Sequence, residues 1–245
     1  YITFRLRAQC INSGYVVHML CIVMNQICVH SVVTHTVHCL RPAPAKADAA
    51  IRNFADFIVF YINIFHIARK DCKTSPIYFT EVGNEDWGCL AIAAGYVGDV
   101  NIEHNEISEV PYSGISLGWG WTQTVNCMRN NRVHANLIHH YAKHMYDVAG
   151  IYTLGSQPKS YVTENCVHSI YKPGYVHDPN HWFYLYTDEG SSFITVRDNW
   201  TEGEKYLQNA NGPGNVWENN GPKVDSVIRE RAGLEAGYKD LLNIQ

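Results

Sequence analysis

The sequence predicts an all-β protein, a right-handed parallel β-helix that ends in a short C-terminal capping helix. Three observations lead to this fold class: a recurring asparagine frame, a second strand repeated between those frames, and a change to helical spacing near the C-terminus. Self-similarity at a spacing of about 20–35 residues is typical of stacked coils, in which each repeat contacts only its neighbours.

The asparagine frame consists of an aliphatic residue, two variable residues, the asparagine and, usually, another aliphatic residue two positions later. The successive asparagines are 31, 29, 34 and 20 residues apart. The copies are short and rich in β-branched residues, which favours strands. Stacked coils would place the amides above one another, where each can donate and accept a hydrogen bond. The copies are centred on Asn105, Asn136, Asn165, Asn199 and Asn219.

The frame divides the chain into two parts. Residues 85–245 are predicted to form the β-helix core, in which apolar residues at helical spacing from Val224 to Leu234 follow Pro222 and indicate the C-terminal helix. Residues 1–84 are predicted to be a divergent N-terminal region that holds early coils or an incomplete part of the solenoid. Within it, residues 48–68 could form an early coil, with Asn53 and Asn63 at ladder positions.

Composition excludes several classes of partner. A net charge of −4 and a pI near 6.4 leave no basic footprint for nucleic acid, and no run of positive charge indicates a membrane surface. The eight cysteines form no CxxC pair, which argues against a zinc ribbon or a thioredoxin-type site. We therefore expect neither a nucleic acid nor a membrane partner.

Between the asparagine frames lies a second repeated strand, which carries the chemistry. When the segments are aligned on Ile115, Ile151 and Leu185, Asp188 stacks over Leu154 and Gly118. Glycine leaves room in front of a sheet. The neighbouring tryptophans, Trp119 and Trp121, would flank that room, and flat aromatic rings beside carboxylates are typical of a sugar site.

Four runs of sequence carry a resemblance to a known family: PYSGISLGWGW (111–121), DVAGIYTLGSQP (147–158), LYTDEGSS (185–192) and NANGPGNVWENNGP (209–222). Over residues 85–242 the chain resembles the carbohydrate-active right-handed β-helix proteins, whose solenoids are pectate-lyase-like, and it is most similar to glycoside hydrolase family 141, the α-L-fucosidase and xylanase group. The resemblance implies a secreted or periplasmic glycosidase that acts on a carbohydrate substrate without a cofactor. It also implies a catalytic aspartate pair at Asp147 and Asp188, although many relatives have two glycines where this chain has Val148 and Ala149.

Hydrolysis of a glycosidic bond needs two carboxyl groups, about 5–5.5 Å apart in retaining enzymes and about 6.5–9.5 Å apart in inverting ones. In a fully extended strand Asp147 and Asp188 would be about 20 Å apart, at roughly 3.3 Å per residue. The two can meet only if residues 148–150 form a turn that folds Asp147 back over the sheet. Glu189 is the alternative partner, although neighbouring residues of a strand point to opposite faces.

Further side chains are candidates for contact with the sugar. Histidines at i and i+4, such as His140 and His144, can bind zinc on a helix, but the glutamate of an HExxH motif is absent. Asp178, Asp188 and Glu189 could supply oxygen ligands to calcium, but no loop of fixed spacing supports such a site, so no metal ligand is assigned. The candidate substrate-binding residues are Trp119, Trp121, His104, His144, Tyr152, His181 and Trp182.

The sequence thus favours a glycoside hydrolase that cleaves a plant-type or host polysaccharide, with a fucoside or a xyloside as the preferred substrate. A non-catalytic carbohydrate-binding β-helix is the alternative, since it would keep the tryptophans and need no acid pair. A polysaccharide lyase or epimerase ranks lower, because the cleft segments hold no arginine or lysine before Lys159 to act as the base.

Overall fold

The computed structural model describes residues 77–84 and 87–243, together with the backbone of three earlier strands. The candidate ladder positions Asn53 and Asn63 lie outside the described residues. In the described part of the chain no helix is long and apolar enough to span a membrane.

Short strands follow one another along the chain, and helices occur only near its C-terminal end within the described residues. The helices are α1 (Ser226–Arg231) and a 3₁₀ helix at Ala236–Asn243. In chain order the strands are β1 (Phe4–Gln9), β2 (Val16–Cys21), β3 (Ala50–Ile51), β4 (Tyr78–Thr80), β5 (Ile92–Ala94), β6 (Asn101–Glu103), β7 (Glu106–Ser108), β8 (Ile115–Gly118), β9 (Arg132–His134), β10 (Leu137–His139), β11 (Val148–Leu154), β12 (Ser156–Thr163), β13 (Cys166–His168), β14 (Trp182–Thr187), β15 (Ser192–Arg197), β16 (Trp200–Thr201), β17 (Tyr206–Gln208) and β18 (Val216–Glu218).

The strands from β3 onward assemble into three parallel sheets, and the chain visits each sheet once per coil. Sheet A has the order β5-β8-β11-β14-β17, sheet B the order β6-β9-β12-β15-β18, and sheet C the order β3-β4-β7-β10-β13-β16. This arrangement is a parallel β-helix, as the repeats predict. Strands β1 and β2 form a separate antiparallel pair.

The register explains the core. Ile115, Ile151 and Leu185 pair across sheet A, which confirms the alignment made from the sequence. Each of these side chains is at most 1% exposed, and equivalent aliphatic residues of sheets B and C join the same apolar cluster. Inward apolar side chains of successive strands therefore build a continuous column of apolar contacts along the solenoid.

The asparagine ladder runs along the corner between sheets B and C. Asn105 Nδ2 donates to Asn136 Oδ1 at 2.9 Å, Asn136 donates to Asn165 at 2.9 Å, and Asn165 donates to Asn199 at 2.9 Å. In each step the same Oδ1 also accepts from the backbone N–H of the donating asparagine. All four asparagines are buried, so the ladder satisfies amides that water cannot reach.

The prediction of Asn219 as the last ladder residue is wrong by one position. Asn199 donates instead to Asn220 Oδ1 at 2.8 Å, while Asn219 bonds to Asp198 at the surface. Trp217 is the residue that pairs with Val196, so the aliphatic frame of this copy begins one residue later than expected. Asn219 has a φ of 47° and occupies the left-handed corner position that asparagine tolerates well.

The C-terminal segment runs along the flank formed by sheet C. Helix α1 packs against β16, and Arg229 lies 4.8 Å from the centre of the Trp200 ring. Further on, the Gly233 N–H donates to the Ala135 carbonyl at 2.8 Å, and Leu234 is buried. The segment therefore crosses from a late coil back to an earlier one.

Candidate active site

The candidate site lies on the outer face of sheet A, on strands β11 and β14. Tyr152 and Tyr186 are paired in register there, with ring centroids 5.0 Å apart. Phe183 and Tyr186 pack in a small apolar cluster that is separate from the main core and lies on the outer face of sheet A. The two residues between them, Tyr184 and Leu185, both belong to the main core. The regular alternation of a strand is therefore interrupted once, which places two aromatic rings three residues apart on the same face.

Asp188 follows β14 and is held by two side chains. Its Oδ2 accepts from the Tyr152 hydroxyl at 2.6 Å and its Oδ1 accepts from Asn209 Nδ2 at 2.7 Å. Its backbone N–H donates to the Thr153 carbonyl at 2.9 Å. Only 7% of the residue is exposed, so the carboxylate has a fixed orientation in a largely water-free place.

Asp147 precedes β11 and sits at a corner of the coil. Its φ is 56°, and its backbone N–H donates to the His181 carbonyl at 2.7 Å. His181 Nε2 lies 3.1 Å from Oδ1 of Asp147, yet that buried oxygen has no hydrogen bond of acceptable geometry within the described residues. We interpret the contact as an electrostatic one, because distance alone does not make a hydrogen bond. Nearly half of the Asp147 side chain is exposed, at 49%.

Three tyrosines lie near both carboxylates. The pKa of Tyr186 is raised, first by burial and then by the charges of Asp147 and Asp188. Burial and the same two carboxylates raise the pKa of Tyr112 to about 12. Burial, the hydrogen bond to Asp188 and the charges of both aspartates raise the pKa of Tyr152.

The turn expected at residues 148–150 is not formed, because these residues begin strand β11. The chain bends one residue earlier, at the left-handed Asp147, and the charges of both aspartates act on Tyr112, Tyr152 and Tyr186. Asp147 precedes the first residue of β11 and Asp188 follows the last residue of β14, so the two stand at opposite ends of these paired strands.

A cavity opens beside Asp188, at the carboxyl ends of the sheet A strands. Its volume is about 570 Å³, within the range of about 300–1,000 Å³ that ligand pockets span. Trp121 is 58% exposed and meets Trp119, itself 44% exposed, edge to face at 5.2 Å. Glu189 is exposed and lines this cavity, one residue beyond Asp188. The cavity is lined by Trp121, Thr122, Gln123, Thr124, Glu189, Gly190 and Ala210.

Two other candidate residues lie on the Asp147 side of the site. His181 contacts Asp147 and meets Phe183 edge to face at 5.0 Å. His144 lies three residues before Asp147, and its ring stacks on that of Trp87. Trp87 is not among the substrate-binding residues that the sequence indicated.

The structure does not bring His104 or Trp182 to the carboxylates. His104 lies at the corner between sheets B and C, where its Nδ1 is 3.2 Å from the Gly233 carbonyl. It occupies a left-handed position, with a φ of 54°, which turns it away from sheet A. Trp182 packs against the main core, and the ammonium groups of Lys172 and Lys205 lie over its ring.

Three residues of the site were missed in the sequence: Tyr112, Tyr186 and Asn209. Tyr186 pairs with Tyr152 in the alignment that the sequence already provided. Thr187 pairs with Gln208, so extension of that alignment by one coil would have placed Asn209 over Asp188. Tyr112 gave no such signal, since it lies before the aligned strand.

Among the described residues no group of three or more histidines, cysteines or carboxylates is placed to hold a metal ion. The carboxylates, tyrosines and tryptophans of sheet A are therefore the chemical groups that the described site offers. Carboxylates can transfer protons or attack an electrophilic carbon, and aromatic rings can stack against a sugar.

Comparison with known proteins gave one similar solved structure, named "Glycoside hydrolase". The two sequences are 93% identical, the match covers 68% of this chain, and the TM-score is 0.67. The match spans 28% of that protein, so this chain corresponds to less than a third of its length. No protein-family model and no curated protein matches the chain.

Proposed function

We propose that this chain forms the catalytic cleft of a glycoside hydrolase that uses Asp147 and Asp188 as its carboxylic acid pair. The observation that carries the proposal is the buried Asp188 carboxylate, which Tyr152 and Asn209 hold at 2.6 and 2.7 Å. A second carboxylate, that of Asp147, adds its charge to that of Asp188 on the same tyrosine, Tyr152. Glycosidases hold the two carboxyl groups of an acid pair about 5–9.5 Å apart.

The hydrogen bonds divide the roles of the pair. Both oxygens of Asp188 accept hydrogen bonds, from Tyr152 and Asn209, which fits an ionised carboxylate that attacks the anomeric carbon or activates water. Asp147 is half exposed, and its buried oxygen has no hydrogen bond among the described residues, so it is the member that can carry a proton. Asp147 then protonates the leaving glycosidic oxygen.

The name of the 93% identical structure supports glycoside hydrolysis. Within this class we propose the group that the sequence resembles, glycoside hydrolase family 141, with a fucoside or a xyloside as substrate. We also propose a right-handed coil, the handedness of nearly all parallel β crossovers, and a secreted or periplasmic location.

A non-catalytic carbohydrate-binding solenoid is the second candidate, because Trp119 and Trp121 are exposed beside a cavity. A lyase or an epimerase is less compatible with the site, since it needs a deprotonated base next to the substrate. The tyrosines here have raised pKa values, which keeps them protonated at neutral pH.

The test is hydrolysis of aryl glycosides (α-L-fucoside, β-xyloside, α- and β-galactoside) and of xylan by the wild type and by single variants. We expect Asp188→Asn and Asp147→Asn each to lower kcat at least 100-fold, because loss of an acid or base costs about 10²–10⁴-fold. Glu189→Gln is the matched control, since it removes a carboxylate of the same cleft, and we expect a loss of less than about tenfold.

Each outcome assigns the site. A large loss in Glu189→Gln with activity retained in Asp147→Asn would replace Asp147 by Glu189 as the partner. A folded wild type that binds oligosaccharides but cleaves none of the panel would support the binding solenoid instead. Circular dichroism and thermal melting of each variant separate loss of chemistry from loss of fold.

A further inference from the structure

On the Asp147 side of the site, three aromatic rings from separate loops form a surface that we call the aromatic platform, made of Trp87, His144 and Tyr175. The Trp87 and His144 rings stack with centroids 4.8 Å apart and planes 23° from parallel. The Tyr175 ring lies 6.1 Å from Trp87. Trp87 is 48% exposed and Tyr175 is 64% exposed, although aromatic rings of this size usually contribute to a core.

Hydrogen bonds fix the platform in place. The Tyr175 hydroxyl donates to the Lys143 carbonyl at 3.3 Å and lies 2.7 Å from His144 Nδ1. This contact holds the His144 ring in place whichever of the two atoms donates. The other nitrogen, Nε2, can then bind a sugar hydroxyl.

Charge and burial keep this imidazole neutral at neutral pH. Partial burial, and then the charge of Lys143, lower the pKa of His144 below its ordinary value of 6.5. The platform therefore combines apolar faces with a neutral imidazole and offers no net charge of its own. That combination suits an uncharged sugar ring better than an anionic one.

The platform adjoins the carboxylate pair along the chain. His144 is three residues from Asp147, so their Cα atoms are at most about 11 Å apart. Tyr175 belongs to the loop that leads into His181, the residue in contact with Asp147. Trp119 and Trp121 accompany Asp188 at the other ends of the same strands, so aromatic surfaces flank the pair from two directions.

We propose that the aromatic platform is a second sugar subsite, which binds a neutral residue of an oligosaccharide on the Asp147 side of the bond to be cleaved. The inference rests on the proposed function for the position of that bond and extends it to the substrate class. The substrate is then an oligosaccharide or polysaccharide that reaches beyond the scissile sugar on this side.

Binding is tested in the Asp188→Asn background, so that hydrolysis does not consume the ligand. Xylohexaose and a fucosylated xyloglucan oligosaccharide are titrated calorimetrically into this protein with and without Trp87→Ala. We expect Trp87→Ala to raise the Kd of the tighter-binding oligosaccharide about tenfold, because it removes one stacked ring. Tyr175→Phe should give a smaller loss, because it keeps the ring and releases only His144.

Phe193→Ala is the matched control, since Phe193 is also an exposed aromatic ring, 39% exposed, but lies on sheet B. We expect it to change the Kd by less than about twofold. Equal Kd values with and without Trp87→Ala, or no binding of either oligosaccharide, would overturn the subsite. Failure of the proposed hydrolysis would appear separately, as wild-type protein that binds but does not cleave.

Discussion

Asp188 owes its orientation to two neutral side chains from neighbouring coils. Tyr152 belongs to the coil before it and Asn209 to the coil after it, and each donates to a different oxygen of the carboxylate. Burial and the hydrogen bond to Asp188 raise the pKa of Tyr152, so its proton stays in place across the range in which the protein can be assayed. Tyr152 and Asn209 thus fix the orientation of the Asp188 carboxylate and bring no charge of their own.

We predict that Asn209→Ala and Tyr152→Phe each lower kcat by about 10- to 100-fold, with less than about a threefold change in KM. Each removes one donor and lets the carboxylate rotate, and misplacement of a catalytic group by about 1 Å can cost about 100-fold. Steady-state kinetics on the best aryl glycoside measures the split between kcat and KM, and the pH profile of kcat should also change.

Asn130→Ala is the control for these variants, because Asn130 makes its side-chain hydrogen bond at the surface, to Asp99. A merely structural role of Asn209 would lower thermal stability and leave kcat and the pH profile of the folded fraction unchanged.

At the scale of elements, the asparagine ladder ties neighbouring coils together along one corner. Asn165 donates to the Val133 carbonyl and to Asn199, and its Oδ1 accepts from both the backbone and the side chain of Asn136. A ladder residue thus serves three coils at once. Asn219, which was predicted to be a ladder residue, makes one exposed side-chain hydrogen bond, to Asp198.

We predict that Asn165→Ala lowers the free energy of unfolding by about 3 kcal/mol or more. It leaves two buried donors of Asn136, its backbone N–H and its Nδ2, without their common acceptor, and each such group costs about 1–3 kcal/mol. Asn219→Ala, the matched control, should cost less than about 0.5 kcal/mol. Urea unfolding followed by circular dichroism compares the two, and equal losses would show that the ladder adds nothing specific.

The strands and the ladder could be predicted because each depends on residues that recur at a fixed spacing. The alignment on Ile115, Ile151 and Leu185 gave the register of sheet A, which parallel pairing then preserves along every strand. The environment of Asp147 could not be predicted in this way. It depends on a left-handed corner and on tyrosine side chains that reach across several residues, and neither leaves a periodic signal.

At the scale of the whole molecule, three of the described histidines, His139, His140 and His168, lie close together beside sheet C. His168 stacks on His139 at 5.3 Å and lies near the Trp200 ring that Arg229 covers. Burial first, and then the charges of His139, His140 and Arg229, lower the pKa of His168 to about 4, although Glu202 opposes the shift. The folded protein therefore disfavours protonation of His168, whereas the unfolded chain would bind a proton there at mildly acidic pH.

We predict that stability falls as the pH drops from about 6.5 to about 4, and that His168→Gln reduces this dependence. The unfolded chain binds a proton at His168 below its ordinary pKa, whereas the folded protein binds it only near pH 4, so the contribution is present above pH 6.5 and is lost on acidification. Since the group is only partly buried, solvent screening reduces the expected difference to about 1–2 kcal/mol.

Urea unfolding of both proteins at pH 7.5, 6, 5 and 4 measures this difference. At pH 7.5 the comparison reports only the packing cost of the substitution, which serves as the internal reference. Parallel curves for wild type and His168→Gln over the whole range would assign the acid sensitivity to other groups.

Asp147 and Asp188 stand at the starts and ends of strands in two adjacent coils, and Asn209 follows in the next. The proposed acid pair and its hydrogen-bond partners thus lie within a few consecutive coils of a repetitive scaffold. Coils inserted or deleted outside this stretch would lengthen or shorten the substrate groove while leaving the reacting groups in place. A single turn inserted between the two aspartates would separate them by a further strand spacing of about 4.8 Å and abolish their cooperation. The length of the groove can therefore change without a change in the reacting groups. Only the short part of the chain that holds the two aspartates would not tolerate the insertion or deletion of a coil.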